Sequence, residues 1–232
     1  MSILLIDNSS VHRITSGQVI VALENVVKET VENALDAGAT SVEVRFKDYG
    51  LESVETIDNG TGIRKEDIPF TGWSKRPDTN LALQHHTSKL SSFEQLSRVT
   101  TLGFRGEALA SIAATSTLSI VTSTAEDVPK GSKVTFSQDG KVENITLVPA
   151  KIGTTTSVDG LFSRLPVRRK EFERNKKREF AKSIHLLQCY ATVCVGVKFL
   201  VTNVSDKRFA LLEQYLFEEI YSNRNRCYFV CV

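Results

Sequence analysis

The chain has 232 residues, 29 basic against 27 acidic side chains, a formal net charge of +2, and a hydrophobic fraction of 41% beside 24% charged. Those values exclude a disordered polyelectrolyte, a collagen-like fibre and a disulfide scaffold. No apolar run reaches the roughly 18 residues of a membrane span, and residues 1–6 lack the basic flank and long apolar core of a secretory signal. The expectation is a soluble, intracellular protein of one large domain, or of one domain plus part of another.

The first strong element is 17–37, GQVIVALENVVKETVENALDA, whose apolar residues recur at helical spacing, with Ser16 as the candidate N-cap and Gly38 as the terminating glycine. SVEVRF (41–46) alternates strictly, KDYG turns, and LESVETI (51–57) returns, which predicts an antiparallel hairpin rather than a βαβ unit. Residues 58–106 are dominated by loops, with a short amphipathic stretch near 92–98. RGEALASIAA (105–114) reads as a second helix, followed by strands at 117–122, 133–137, 141–148 and 154–159. A basic segment, a long amphipathic helix (176–195) and a strand (197–203) complete an α+β pattern. Cys189, Cys194, Cys227 and Cys231 have wider spacing than zinc knuckles and read as reduced thiols.

Chemistry concentrates in three places. On the first helix Glu29, Glu32, Asn33 and Asp36 share one face, opposite the apolar stripe. A solvated acidic face would look the same, but Asn33 is a poor helix former in mid-helix, and a carboxylate one turn from a carboxamide suits a metal–phosphate site. DNGTGI (58–63) fits an ordinary turn; it also fits a strand-end carboxylate that accepts a bond from an exocyclic amine, with Gly60 and Gly62 letting a planar ring approach the backbone. GFRGEAL (103–109) opens a helix with two glycines able to point N–H groups at an anion, and it is not a Walker loop. HHTSK (85–89) brings two hydroxyls and Lys89 suited to phosphate oxygens.

Taken in order, VKETVENALDAGA (27–39), DNGTGI, HHTSK, GFRGEAL and GTTTSVDGLFSRLPVRRKEF (153–172) resemble the MutL-homologue family of the GHKL ATPases. VHRITSGQVI, FKDYGLES and LPVRRKEF are most similar to the PMS-type members of eukaryotic mismatch repair, and the likeness runs from about residue 5 to 205. The resemblance implies a Bergerat-type ATP-binding fold, a mixed β-sheet with helices on one face, followed by the start of a second α/β domain. It implies ATP and Mg²⁺ as cofactors, with Glu29 as general base and Asn33 as the Mg²⁺ ligand. Asp58 would recognise adenine, with Gly60 and Gly62 lining the base pocket and Thr155 supporting it. Thr87, Ser88 and Lys89, with the loop of Gly103, Phe104, Arg105, Gly106, Glu107, Ala108 and Leu109, would wrap the triphosphate as part of a lid. Implied partners are another MutL-homologue subunit in a heterodimer, a MutS-type mismatch recognition complex and DNA, in the nucleus, with no membrane.

Residues 164–182 carry nine basic and three acidic side chains, a local excess on a nearly neutral chain. Arg168, Arg169, Lys170, Arg174, Lys176, Lys177 and Arg178 fit either a solvated helix face or a sequence-independent contact with DNA phosphates. Two stretches depart from the family. The link between DNGTGI and HHTSK is about ten residues longer than usual near GWSKRPDTN, as a tolerated loop insertion or a retained intron. After NVSDK the likeness stops. The expected boundaries are therefore 1–203 for the ATP-binding region running into the second domain and 204–232 for a divergent tail, packing as a makeshift helix or out of frame. No counterpart is visible for the lysine that the family's second domain sends to the γ-phosphate, nor for the endonuclease motif of PMS-type proteins. Two functions stay open: a slow Mg-dependent ATPase of mismatch repair, or a truncated ATP-binding module that contacts DNA or competes for the partner subunit.

Overall fold

The computed structural model describes residues 18–68 and 108–204, together with the backbone of 212–218 and 228–231. Among these residues, three helices and nine strands alternate: α1 (Leu23–Asp36), β1 (Ser41–Lys47), a 3₁₀ turn (Asp48–Gly50), β2 (Ser53–Asp58), α2 (Ala108–Thr115), β3 (Thr117–Ser123), β4 (Lys130–Phe136), β5 (Val142–Pro149), β6 (Gly153–Asp159), α3 (Pro166–Val193), β7 (Lys198–Val204), β8 (Leu212–Glu218) and β9 (Tyr228–Cys231). The strands form one mixed sheet in the order β5-β4-β3-β6-β2-β1-β7-β8-β9. Only the β1–β7 pairing is parallel among these; the others are antiparallel.

Alternation explains which side faces the helices. The predicted hairpin forms, with Val44 opposite Thr56 and Phe46 opposite Val54. The rows continue across the sheet: Val201, Val44, Thr56, Thr156, Ile120 and Val134 lie side by side, so this face is mostly apolar with two threonines at the centre of the row. Against it α1 buries Leu23, Val26, Val27, Val31 and Ala34, while α2 contributes Ile112 and Ala113, and α3 Phe172, Phe180, Ile184 and Leu187. The other face is polar, with Arg45 bonded to Glu43 and reaching Glu55, and Ser157 bonded to Glu55. The expected mixed sheet with helices on one face is what the structure has.

Three boundaries differ from expectation. Residues 18–19 are helical, as expected, but the helix breaks at 20–22 and α1 proper begins at Leu23, where Asn25 Oδ1 turns back to accept the Val21 and Ala22 N–H groups at 3.2 and 2.9 Å; Ser16 lies outside the described residues. Helix α3 starts ten residues before 176, with Pro166 at its first turn, where a missing N–H costs nothing. In the tail the backbone of β8 and β9 extends the sheet from β7, where a makeshift helix is one of the two expected alternatives. The Tyr49 ring packs edge-on against Phe180, which meets Phe46 in the same way at 5.0 Å, fixing α3 over the hairpin end. No helix among the described residues is long and apolar enough to cross a membrane.

Candidate functional site

The site assembles where α1 passes over the end of β2. Thr30, buried on α1, shares a hydrogen bond of 2.9 Å with Thr56 on β2, two residues before Asp58 on the same sheet face. One turn past Asn33, the Ala37 carbonyl accepts the Thr61 N–H at 3.0 Å. Asn33 sits between these two ties, exposed, with its carboxamide making no hydrogen bond among the described residues. Glu29, one turn earlier, is partly exposed at 28% of its side chain.

Asp58 is held by backbone. Its Oδ1 accepts the Gly60 N–H at 2.8 Å and the Thr154 N–H at 3.2 Å, while Oδ2 takes no bond among the described residues. Burial pushes its carboxyl above the ordinary aspartate range, and the two N–H bonds offset only part of that rise. Asn59, the next residue, accepts the Thr40 and Ser41 N–H groups at 2.9 Å and donates to the Thr40 hydroxyl, so the turn is locked onto the start of β1. Gly62 has a φ of +73°, and a Cβ there would overlap the Ser123 carbonyl on β3. At Gly60 a Cβ would stand 2.8 Å from both Ala37 Cβ and its carbonyl oxygen. Close packing of the loop on α1 and β3 therefore requires these glycines, before any ring is considered.

The register relocates one expected residue. Thr155 pairs with Ile57 and Val121, and shares its sheet face with Ser157, the face opposite Asp58. Thr154 lies beside Asp58 instead: its N–H reaches Asp58, and its hydroxyl meets Thr122 Oγ1 at 3.2 Å, which in turn accepts the Ile63 N–H at 2.8 Å. In a strand, one step along the chain changes the face. Of the lid residues, Ala108 and Leu109 form the first turn of α2, with Leu109 packed against the core; Thr87, Ser88, Lys89 and residues 103–107 lie outside the described residues.

Glu32 does not join Glu29 and Asn33 on a solvated face. It is buried, accepting the Tyr190 hydroxyl at 2.6 Å and the Lys28 ammonium at 2.7 Å. Burial and the neighbouring Glu32 carboxylate raise the Tyr190 phenol well above its ordinary value. Burial works against the Lys28 ammonium, yet its bond to Glu32 and the charge of Glu29 outweigh that effect and raise its pKa.

The basic segment divides into two groups. Arg169 donates to the Leu51 and Leu161 carbonyls at 2.7 and 2.8 Å, Arg168 reaches the Ile20 carbonyl at 3.3 Å, and Lys176 grips both oxygens of Asp48 at 2.6 and 2.7 Å. These three are tied into the fold. Lys170, Arg174, Lys177 and Arg178 are exposed, and their spacing places them along one side of α3, although the Lys177 ammonium also lies over the Tyr49 ring at 5.6 Å from its centroid. Arg164, upstream, donates to the Ala113 carbonyl at the end of α2, and burial lowers its pKa.

Residues 21–160 match the family of histidine kinase-, DNA gyrase B- and HSP90-like ATPases. The chain belongs to this ATPase family. Within it, the chain is homologous to the N-terminal ATPase region of the PMS-type MutL homologues. It is 43% identical over 208 residues to DNA mismatch repair protein pms1 of Schizosaccharomyces pombe, covering 90% of this chain and 25% of that protein. Against mismatch repair endonuclease PMS2 of Homo sapiens it is 46% identical over 198 residues, 85% of this chain and 22% of the relative. The chain thus spans about a quarter of the length of these relatives. Among solved structures, the N-terminal domain of a DNA repair protein superposes with a TM-score of 0.72 at 41% identity, over 92% of this chain and 57% of that one. The Aquifex aeolicus MutL ATPase domain complexed with ADP shares the fold, with a TM-score of 0.59 at 24% identity over 88% of this chain and 80% of that one.

Proposed function

We propose that this chain is the ATP-binding and ATP-hydrolysing region of a MutL-type mismatch repair protein. The observation that carries the reading is Asp58: a partly buried strand-end carboxylate with one oxygen pinned by two backbone N–H groups and the other without a hydrogen bond among the described residues. That arrangement suits the exocyclic amine of adenine, and Thr154 with Thr122 supplies a polar floor beside it. Asn33 and Glu29 stand above on α1. Asn33 presents a neutral, hard oxygen suited to Mg²⁺, and the described residues hold no group of three or more acidic, His or Cys ligands. Such a site fits an ion that completes its shell with water and substrate phosphates. When bound, Mg²⁺ neutralises phosphate charge.

Glu29 is the general base in this reading. It takes a proton from water as the water oxygen bonds to the γ-phosphorus, while the bond to the bridging oxygen breaks and its electron pair leaves with ADP. Thr87, Ser88, Lys89 and residues 103–109 wrap the phosphates, closure of that lid accompanies pairing with another MutL-homologue subunit, and the assembly acts in the nucleus with a MutS-type complex. Lys170, Arg174, Lys177 and Arg178 meet the DNA backbone.

The test is Mg-dependent ATP binding and turnover on the 232-residue chain beside Glu29→Ala. Retained affinity with a loss of turnover of about a hundredfold or more is expected for removal of a general base. Loss of affinity together with turnover would overturn that role, and binding without turnover in the parent chain would favour the nucleotide-binding module.

A further inference from the structure

On α1 the Lys28 ammonium stands between two carboxylates, 2.7 Å from Glu32 Oε2 and 3.5 Å from Glu29 Oε1. The two differ in freedom. Glu32 exposes 9% of its side chain, and its second oxygen is held by the Tyr190 hydroxyl, in the last turn of α3. Glu29 exposes 28%. The cation is therefore bound to the anchored carboxylate, yet already within ion-pair range of the more exposed one.

A carboxylate in a close bond with an ammonium loses basicity and loses the lone pair a water molecule would use. Lys28, adjacent to Glu29, is placed to impose that loss. We propose that Glu32, anchored by Tyr190, is a positioning residue that keeps the Lys28 ammonium at a 3.5 Å contact with Glu29 rather than in a close bond, and so keeps the base available. The proposal rests on the reading of Glu29 as the general base. It also makes the end of α3 part of the catalytic support: any movement of Tyr190 releases Glu32, and with it Lys28. An ordinary helix pair between residues 28 and 32 would make no such link to turnover.

The test compares the 232-residue chain with Glu32→Gln, Tyr190→Phe and the double variant Lys28→Met/Glu32→Gln, each checked for folding by thermal unfolding. Glu32→Gln keeps the side-chain shape and an oxygen for Tyr190. It is expected to lower kcat roughly two- to fivefold at unchanged KM for ATP, in line with one tightened ion pair on the base; Tyr190→Phe should move kcat the same way by less. Removing the released cation in the double variant should recover most of the loss. An unchanged kcat in Glu32→Gln, or no recovery in the double variant, overturns the proposal. Turnover that survives Glu29→Ala overturns instead the reading beneath it. A second measurement needs no turnover: the ammonium NMR signal of Lys28, which already feels Glu29 at 3.5 Å in the parent, should shift further on Glu29→Gln in the Glu32→Gln background than on Glu29→Gln in the parent. Equal response in both backgrounds also overturns the proposal.

Discussion

Asp58 shows how a single residue can work against the stability of the fold that holds it. Burial favours its protonated form. Its contribution to stability is therefore complete below the ordinary aspartate range and is lost as pH rises through the elevated pKa. Asp58→Asn, which can still accept the Gly60 and Thr154 N–H groups, should melt higher than the parent near pH 7. The gap should close towards about pH 3, where both side chains are neutral. Adenine nucleotide affinity should fall in the same variant, measured by calorimetry. Gly62→Ala carries the opposite expectation: a Cβ against the Ser123 carbonyl at positive φ should cost about 2–4 kcal/mol in urea unfolding. At this scale the sequence was only partly legible. DNG marked Asp58, but whether Thr154 or Thr155 stands beside it depends on the pairing of β6 with β2, and one residue changes the face. Glu32 looked solvated because the residue that buries it, Tyr190, is 158 positions away.

Among the elements, those with strong local patterns were legible. The β1–β2 hairpin follows from strict alternation, and α1 from its apolar spacing. Helix α3 was read ten residues short, because its first turns bury little beyond Phe172 and carry mostly charge. Distant carbonyls hold those turns in place. Arg169 bridges Leu51 and Leu161, so Arg169→Ala should destabilise the chain by about 2–3 kcal/mol, the range for hydrogen bonds to a charged group, as read from denaturant midpoints. The start of α1 makes a similar point. Asn25 caps from inside the helix rather than from the preceding position, and Asn25→Ala should cost ~1 kcal/mol.

For the whole molecule, the split of the basic segment separates binding from folding. Charge reversal at Lys170, Arg174 and Arg178 should leave the melting temperature near that of the parent. It should weaken DNA binding equally across sequences, with the slope of log affinity against log salt falling by up to about 0.9 per contact removed. Reversal at Arg168 and Arg169 should instead lower the melting temperature, since those guanidinium groups bond internal carbonyls. An unaltered salt slope in the first set would return the helix face to plain solvation. The sheet order has its own bearing on how the protein is made. β1 lies between β2, its immediate successor, and β7, whose pairing begins with Ser41 opposite Lys198. At about 5–20 residues per second, a ribosome delivers β7 roughly 8 to 30 seconds after β1. Throughout that interval Val42, Val44 and Phe46 lack their β7 neighbours, and one edge of β1 lacks the partner it finally has. Nascent chains stalled before residue 198 should therefore be cut readily by protease and captured by chaperones, and those carrying β7 clear of the exit tunnel should not.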